Sequence, residues 1–212
     1  MYDPKTGAYF YTTPQFDNEG KYRFEHTYYL KYNSKKALYL IDQLFSLNMR
    51  GENDIFLAHV FIDSVFQSAG LIYSRFRLDK ATGNHKKQNE NNIKEYEFDE
   101  RSYPLLSDKD FRNFIEHIEE KDQQLIDNGQ FFGTFNVVYP DLDSELKEKL
   151  LTSHQNNMLD LEKKTYSILL VKGEDHHLEP KTISLDELRQ EFQKIYDRSS
   201  IIWDYMQDSV WF

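Results

Sequence analysis

Apolar residues recur at steps of three and four in four segments of the chain, and this spacing places them on one face of an α-helix. The second segment is apolar around most of its circumference, which is typical of a helix at the centre of a bundle. The third and fourth open with capping-box arrangements, at Ser107-Asp108-Lys109-Asp110 and at Ser184 with Glu187. The predicted helices span about residues 34–50, 53–78, 107–127 and 184–208.

A polar stripe interrupts the apolar surface of the second predicted helix. His59, Asp63 and Gln67 follow one another at steps of four, so they share one edge of that helix. The stripe indicates either an ordinary solvent-facing edge, or a functional face or one that contacts a second copy of the chain.

The hydrophobic period changes after Gly129, which ends the third predicted helix. Pro180 marks an edge strand, since proline cannot donate a ladder hydrogen bond. These features predict a small antiparallel β-sheet inserted between the third and fourth helices, over residues 129–183. Strands are predicted at residues 131–139 and 166–171, a short helix at residues 144–156 and a turn at residues 172–175.

Two aromatic-rich segments lie near the N-terminus, at residues 8–12 and 22–30. Proline, asparagine and glycine separate them, which favours a hairpin, although the second segment is equally compatible with the beginning of a helix. Residues 1–32 therefore form an N-terminal extension. Residues 79–100 are polar and lack any periodicity, so they predict a mobile loop.

The length predicts a single domain over residues 1–212, and the four helical segments predict that it is mainly α. Hydrophobic residues make up 39% of the chain and aromatic residues 16%, enough apolar surface for a packed core. The absence of cysteine excludes disulfide scaffolds, thiol catalysis and cysteine-ligated metals. No secretory signal is visible, and the longest apolar segment, residues 55–76, is interrupted by charged and polar side chains. We therefore expect a cytoplasmic protein that does not contact a membrane.

The charge is concentrated in the second half of the chain. The net charge is −10, and residues 108–212 carry 12 basic against 22 acidic side chains. A broad basic face for duplex nucleic acid is therefore not expected. A nucleic acid would need a local group of cations, and the sequence offers two such groups. These are Lys31, Lys35 and Lys36, and Arg75, Arg77, Lys80, Lys86 and Lys87, either of which could also be scattered solvated charges.

The candidate chemistry lies on the third predicted helix. Its apolar stripe includes Phe111, and its opposite face carries Arg112, Asn113, Glu116 and His117. Asn113 and His117 are four residues apart and adjacent on the surface. Arg112 and His117 are five apart, so about 140° separates them around the helix axis. They flank the polar face, and a second chain could complete the arrangement.

This motif resembles that of the HEPN family, whose helical-bundle domains carry arginine, four to six intervening residues and then histidine. The matching string here is Arg112-Asn113-Phe114-Ile115-Glu116-His117. A polar residue directly after the arginine is also a family feature, and the full string looks like one bacterial branch. The resemblance implies a four-helix up-down bundle, and in helix order it covers roughly residues 34–128 and 184–208.

The resemblance implies a metal-independent endoribonuclease that uses no cofactor. The adjacent 2′-hydroxyl of RNA would attack the phosphate, with His117 as general acid or base and Arg112 holding the phosphate. Asn113 would position the phosphate or the imidazole by hydrogen bonding. Glu116 could orient Arg112, although its charge could also weaken phosphate binding. Family members commonly dimerise so that two motifs face each other, which implies a homodimer.

Two other interpretations of the motif stay open at the sequence level. The acidic second half is unfavourable for RNA, so a noncatalytic dimeric module that binds a nucleotide or a protein partner is the main alternative. The plain structural interpretation is a solvated helix face with an Arg112–Glu116 pair. For the enzyme, the resemblance suggests a role in defence or in a toxin–antitoxin pair, where an antitoxin protein would be a further partner.

Metal binding has weaker support from the sequence. The alternating carboxylates of residues 141–145 lack the glycine and terminal glutamate of an EF-hand loop, so a capped helix start is preferred there. Residues 174–177, Glu-Asp-His-His, could supply ligands but follow a glycine and indicate a hairpin tip. His26 and His154 are isolated in the sequence. No metal is predicted.

Overall fold

The computed structural model describes residues 2–3, 8–9, 17–108, 110–111, 136–152, 158–172 and 177–210. Within these ranges the chain is mainly helical, with a two-stranded and a four-stranded sheet. The helices are α1 (Asn18–Phe45), α2 (Glu52–Tyr73), α3 (Gly83–Glu95), α4 (Ser144–Thr152) and α5 (Leu185–Val210). The strands are β1 (Tyr2–Asp3), β2 (Ala8–Tyr9), β3 (Asn136–Val138), β4 (Met158–Asp160), β5 (Thr165–Lys172) and β6 (His177–Ser184).

Helix α1 begins about 15 residues earlier than the sequence pattern predicts. Asp17 is its N-cap, and the side chain accepts a hydrogen bond from Gly20 N at 2.7 Å. The predicted caps Asn33 and Ser34 lie in the middle of α1 and donate to the backbone oxygens of the preceding turn. The predicted strand at residues 22–30 is therefore wrong, and the helical alternative is confirmed.

A short antiparallel hairpin does occur near the N-terminus, but with different partners. Strand β2 pairs with β1, with Tyr9 opposite Tyr2 and Ala8 opposite Asp3. The prediction that residues 8–12 contain a strand is thus confirmed for Ala8–Tyr9.

Helix α1 packs along both α2 and α5, and these contacts form the core. Leu30, Ile41 and Leu44 of α1 are fully buried, as are Ile62 of α2 and Phe192 of α5. By length and apolar composition, α2 could also cross a membrane, a criterion that core helices often meet. Its inner face is part of the core of the protein.

The outer face of α2 is apolar as well as polar. Phe56 is 65% exposed, and Ile55 and Val60 are also exposed. The predicted polar edge lies beside them, where His59 Nε2 is 3.0 Å from Asp63 Oδ2. In the single chain, α2 is therefore not covered on all sides, which differs from the central position predicted for it.

The predicted mobile loop at residues 79–100 is wrong, because most of it forms α3. The inner face of α3 is polar: Gln88, Asn89 and Asn92 are buried. Asn89 Nδ2 donates to the backbone oxygen of Ser74, and Asn92 Nδ2 donates to that of Arg75 at 2.8 Å. These amides satisfy carbonyls that the end of α2 leaves without helical partners. Helix α3 is thus held in place by hydrogen bonds that a hydrophobic pattern cannot reveal.

The four-stranded sheet has the order β3-β4-β5-β6 and is mixed. The pair β5–β6 is antiparallel as predicted, and β4–β5 is antiparallel too, but β3 and β4 are parallel. The fully antiparallel prediction is therefore wrong, because the predicted short helix α4 is the crossover that a parallel pair needs. Pro180 lies on the edge strand β6, opposite Leu169, as its chemistry predicts.

Helix α5 begins where the sequence predicts, and Ser184 Oγ accepts a hydrogen bond from Glu187 N at 3.2 Å. One turn later, the buried Glu191 accepts from the backbone N–H groups of Leu105 and Leu106, each at 2.8 Å. This carboxylate ties the segment after α3 to α5. Burial raises the pKa of Glu191, while the two backbone donors oppose that change.

Glu191→Ala is expected to lower the free energy of unfolding by about 2–4 kcal/mol, because two buried backbone donors lose their acceptor. Urea denaturation at neutral pH measures this loss. Gln190→Ala is the matched control, since Gln190 is exposed on the same helix. Equal destabilisation by the two variants would show that the Glu191 hydrogen bonds contribute little.

Candidate functional site

The structure describes the beginning of the third predicted helix as far as Phe111. Asp108 Oδ1 accepts a hydrogen bond from Phe111 N at 2.7 Å and lies 2.6 Å from Lys181 Nζ. The predicted capping box over residues 107–110 is therefore shifted by one residue: Asp108 is the cap, and the buried Ser107 Oγ has no hydrogen-bond partner among the described residues. Phe111 is fully buried and packs edge-on against Phe66, with ring centroids 5.5 Å apart. The predicted core position of Phe111 is confirmed too.

The predicted catalytic residues Arg112, Asn113, Glu116 and His117 lie outside the described residues. Their roles stay predictions from the sequence, as does the spacing between Arg112 and His117.

The two candidate metal segments differ in outcome. Asp143 Oδ1 accepts from the backbone N–H groups of Glu145 and Leu146, both at 3.1 Å, which is the capped start of α4. The preferred interpretation of residues 141–145 is thus confirmed. Residues 174–176 lie outside the described part of the chain. Among the described residues no three potential metal-ligating side chains cluster.

The most elaborate polar arrangement in the described structure lies between α1, α3 and the segment after α2. Its centre is His26, which is 1% exposed. Asn92 Nδ2 lies 3.1 Å from His26 Nδ1, and His85 Nδ1 lies 3.1 Å from His26 Nε2. The sequence did not identify this cluster, since the three residues belong to segments predicted as a strand or helix start and as a loop.

The hydrogen bonds of Asn92 determine the tautomer of His26. Asn92 Nδ2 donates to the carbonyl of Arg75, and Asn92 Oδ1 accepts from Gln88 Nε2 at 2.9 Å, so the orientation of the amide is fixed. The second N–H of Asn92 therefore points to His26 Nδ1, which must be an acceptor. The His26 proton is then on Nε2, and His26 donates to His85 Nδ1.

Burial and neighbouring charge keep His26 neutral. Desolvation is the main cause, followed by the positive charge of Arg75 and by His85, and together they lower the pKa of His26 from 6.5 to about 3. A neutral imidazole of fixed tautomer is a poor proton acceptor at physiological pH. His26 is therefore suited to orient His85, whose ring is exposed at the surface.

Arg75 lies beside this histidine pair, and its guanidinium has few hydrogen-bond acceptors. Nη1 is 3.5 Å from His26 Nε2, but both atoms are donors, so they cannot bond to each other. Nη2 is 3.8 Å from Glu25 Oε1, and among the described residues no hydrogen-bond acceptor reaches the buried Nε. The guanidinium stacks over the Tyr29 ring at 4.5 Å. Stacking and charge hold this arginine more than hydrogen bonds do.

Arg77 and Lys87, two members of the predicted basic groups, have carboxylate partners. Arg77 binds Asp79 through two nitrogens, and Lys87 Nζ lies 2.9 Å from Glu19. Lys31 Nζ lies 5.5 Å from the centre of the Trp203 ring. Of the cations considered from the sequence, Arg75 is the one that the structure places against paired histidines.

A cavity of about 530 Å³ lies between the N-terminal half of α1 and α3. Its opposite charges are partly paired, since Arg23 Nη2 is 2.6 Å from Glu95 Oε1 across the cavity. Gln88, which orients Asn92, forms part of its wall, so the cavity adjoins the histidine cluster. The lining residues are Asp17, Glu19, Gly20, Arg23, Gln88, Asn91, Lys94 and Glu95.

Comparisons with protein-family models, with curated proteins and with solved structures found no match to this chain.

Proposed function

We propose that the protein is a metal-independent endoribonuclease of the HEPN type, acting in the cytoplasm. The observation that carries this proposal is the start of the motif helix. Asp108 caps it, and Phe111, directly before Arg112, is fully buried against α2. A helix anchored in this way through its apolar stripe supports an outward position for the polar motif face.

The proposed mechanism assigns one task to each motif residue. Arg112 binds two oxygens of the scissile phosphate through its planar, permanently charged fork. His117 removes the proton of the 2′-hydroxyl or donates one to the leaving 5′-oxygen. Asn113 positions the phosphate or the imidazole, and Glu116 orients Arg112. The products would be a 2′,3′-cyclic phosphate and a 5′-hydroxyl.

The proposed fold is a four-helix up-down bundle made of α1, α2, the predicted helix at residues 107–127 and α5. The mixed sheet would be the insertion between the last two. Extensive packing of α1 against α2 and α5 supports this arrangement.

The proposed assembly is a homodimer in which two motifs face each other. Exposed apolar side chains on α2, including Phe56 and Val60, support an association of this kind. The same surface favours a second candidate function, a noncatalytic dimeric module that binds a nucleotide or a protein partner. The net charge of −10 also favours that alternative.

Cleavage of single-stranded RNA in the presence of EDTA tests the proposed activity. The purified full chain is expected to produce fragments with 2′,3′-cyclic phosphate ends, because transesterification by the 2′-hydroxyl needs no metal. A substrate methylated at every 2′-oxygen is the control and should remain intact. Two outcomes would contradict the mechanism: cleavage of the methylated RNA, or cleavage of unmodified RNA that stops when EDTA is added.

A further inference from the structure

The histidine cluster around His26 collects hydrogen-bond donors next to a positive charge. We infer that Arg75 and His85 bind a backbone phosphate of single-stranded RNA, at a site separate from the Arg112–His117 motif. The assignment of the phosphate to RNA rests on the proposed function, whereas the phosphate site itself rests on the following geometry.

Donors outnumber acceptors around Arg75. Its guanidinium has five N–H groups, and its nearest carboxylate, Glu25 Oε1, is 3.8 Å away and belongs to a side chain that is 45% exposed. Glu25 can therefore turn into solvent when a phosphate arrives. A cation in place of the phosphate would be repelled by the guanidinium, so the site selects an anion.

The histidine pair presents His85 in one defined state. Asn92 fixes the Nε2–H tautomer of His26, and His26 in turn donates to His85 Nδ1. Neutral His85 then carries its own proton on Nε2, the nitrogen that does not face His26. Tyr22 packs edge-on against the His85 ring, with centroids 4.7 Å apart, and restricts its rotation.

The two side chains converge on one ring nitrogen. Arg75 Nη1 lies 3.5 Å and His85 Nδ1 lies 3.1 Å from His26 Nε2. Because His85 Nδ1 accepts from His26, the donor that His85 can offer a phosphate is its other ring nitrogen, Nε2. A phosphate that binds both side chains would therefore bridge the Arg75 guanidinium and His85 Nε2.

Exposed aromatic rings beside Arg75 favour an RNA strand over free phosphate. Tyr29, under the guanidinium, has its ring 5.9 Å from that of Tyr28, and Tyr28 stacks on Tyr32 at 6.1 Å. All three tyrosines are exposed on α1, and Lys31 lies between them in the sequence. Rings and cations in alternation are typical of surfaces that stack unpaired bases.

Fluorescence anisotropy with a fully 2′-O-methylated single-stranded oligonucleotide tests the site without cleavage. Arg75→Gln in the full chain is expected to weaken binding by about 10- to 100-fold, because a charge-assisted contact is lost. Arg101→Gln removes the same charge from an exposed position and should change affinity less than threefold. His85→Ala should also weaken binding. Because His85 is exposed, this variant tests the site even if Arg75→Gln misfolds.

Each outcome decides the inference. Equal affinity of the wild type, Arg75→Gln and His85→Ala would overturn the site, as would no binding by the wild type. If inorganic phosphate shifts the His85 ring signals in NMR spectra but RNA binding is independent of Arg75, the site binds free phosphate and the RNA assignment is wrong. Arg75-dependent binding without any cleavage of unmodified RNA would reject the proposed enzyme and leave this site standing.

Discussion

His117→Ala is expected to lower the rate of RNA cleavage by about 10²–10⁴-fold, the usual contribution of a positioned acid or base. Alanine cannot transfer a proton, and a water molecule that replaced the imidazole would not be held in position next to the reacting oxygen. Single-turnover cleavage rates in EDTA, with enzyme in excess over a labelled RNA, measure this effect directly. Arg112→Ala should reduce the same rate, because the charge on the reacting phosphate would lose its partner.

Arg101→Gln provides the control for that experiment. Arg101 is exposed in the segment after α3, and neither the proposed chemistry nor the proposed dimer surface includes it. Its cleavage rate should stay within about twofold of the wild type, as expected for a surface change. Equal rates for the wild type and His117→Ala would assign the cleavage to another site or to a contaminating nuclease. Toxicity on overexpression that His117→Ala relieves would support a role of His117 in cleavage within cells.

The sequence correctly predicts those helices and strands whose buried faces are apolar. Helix α5 begins at its capping box, and Phe111 is buried as its spacing predicts, because an apolar stripe has only one stable location. The edge position of Pro180 follows as directly from its missing N–H group. Strand β4 was not predicted, since three residues are too short for a period to show.

The errors in the prediction occur where polar residues are buried. Asn33 and Ser34 have good capping chemistry, but inside α1 their side chains bond to the preceding turn instead. In α3 the buried face is made of Gln88, Asn89 and Asn92, so a hydrophobic pattern gives no signal. Their partners are backbone carbonyls at the end of α2, and only the fold brings those together.

The same reasoning explains what could be predicted about function. The string from Arg112 to His117 is local in the sequence, so a resemblance can identify it. The residues of the other cluster are distant in the sequence: Arg75 lies 49 residues and His85 lies 59 residues from His26. One clue was available: Gln88, Asn89 and Asn92 would share a face if residues 79–100 were helical, which indicates a polar contact surface.

Acidification is expected to destabilise the fold through His26. In the unfolded chain this histidine binds a proton near its ordinary pKa of 6.5, whereas in the folded chain its pKa is lowered to about 3. Between these values the unfolded state binds more protons, so stability falls as the pH falls. The loss approaches about 1.4 kcal/mol per pH unit below pH 6 and reaches roughly 5 kcal/mol near pH 3.

His26→Gln isolates this contribution, because glutamine can accept from Asn92 and donate to His85 but cannot take up a proton. Urea denaturation from pH 6.5 to pH 5 measures the slope above the range in which most carboxylates titrate. The variant should lose stability more slowly than the wild type, by about 1 kcal/mol per pH unit or more, even if it is less stable at pH 7. Arg75, His85 and Glu25 are the charged or titratable groups around His26, and each is retained in the variant.

Parallel slopes for the two proteins would show that His26 can be protonated within the fold. The neutral tautomer would then be wrong, and His85 would lose the donor that orients it towards a phosphate.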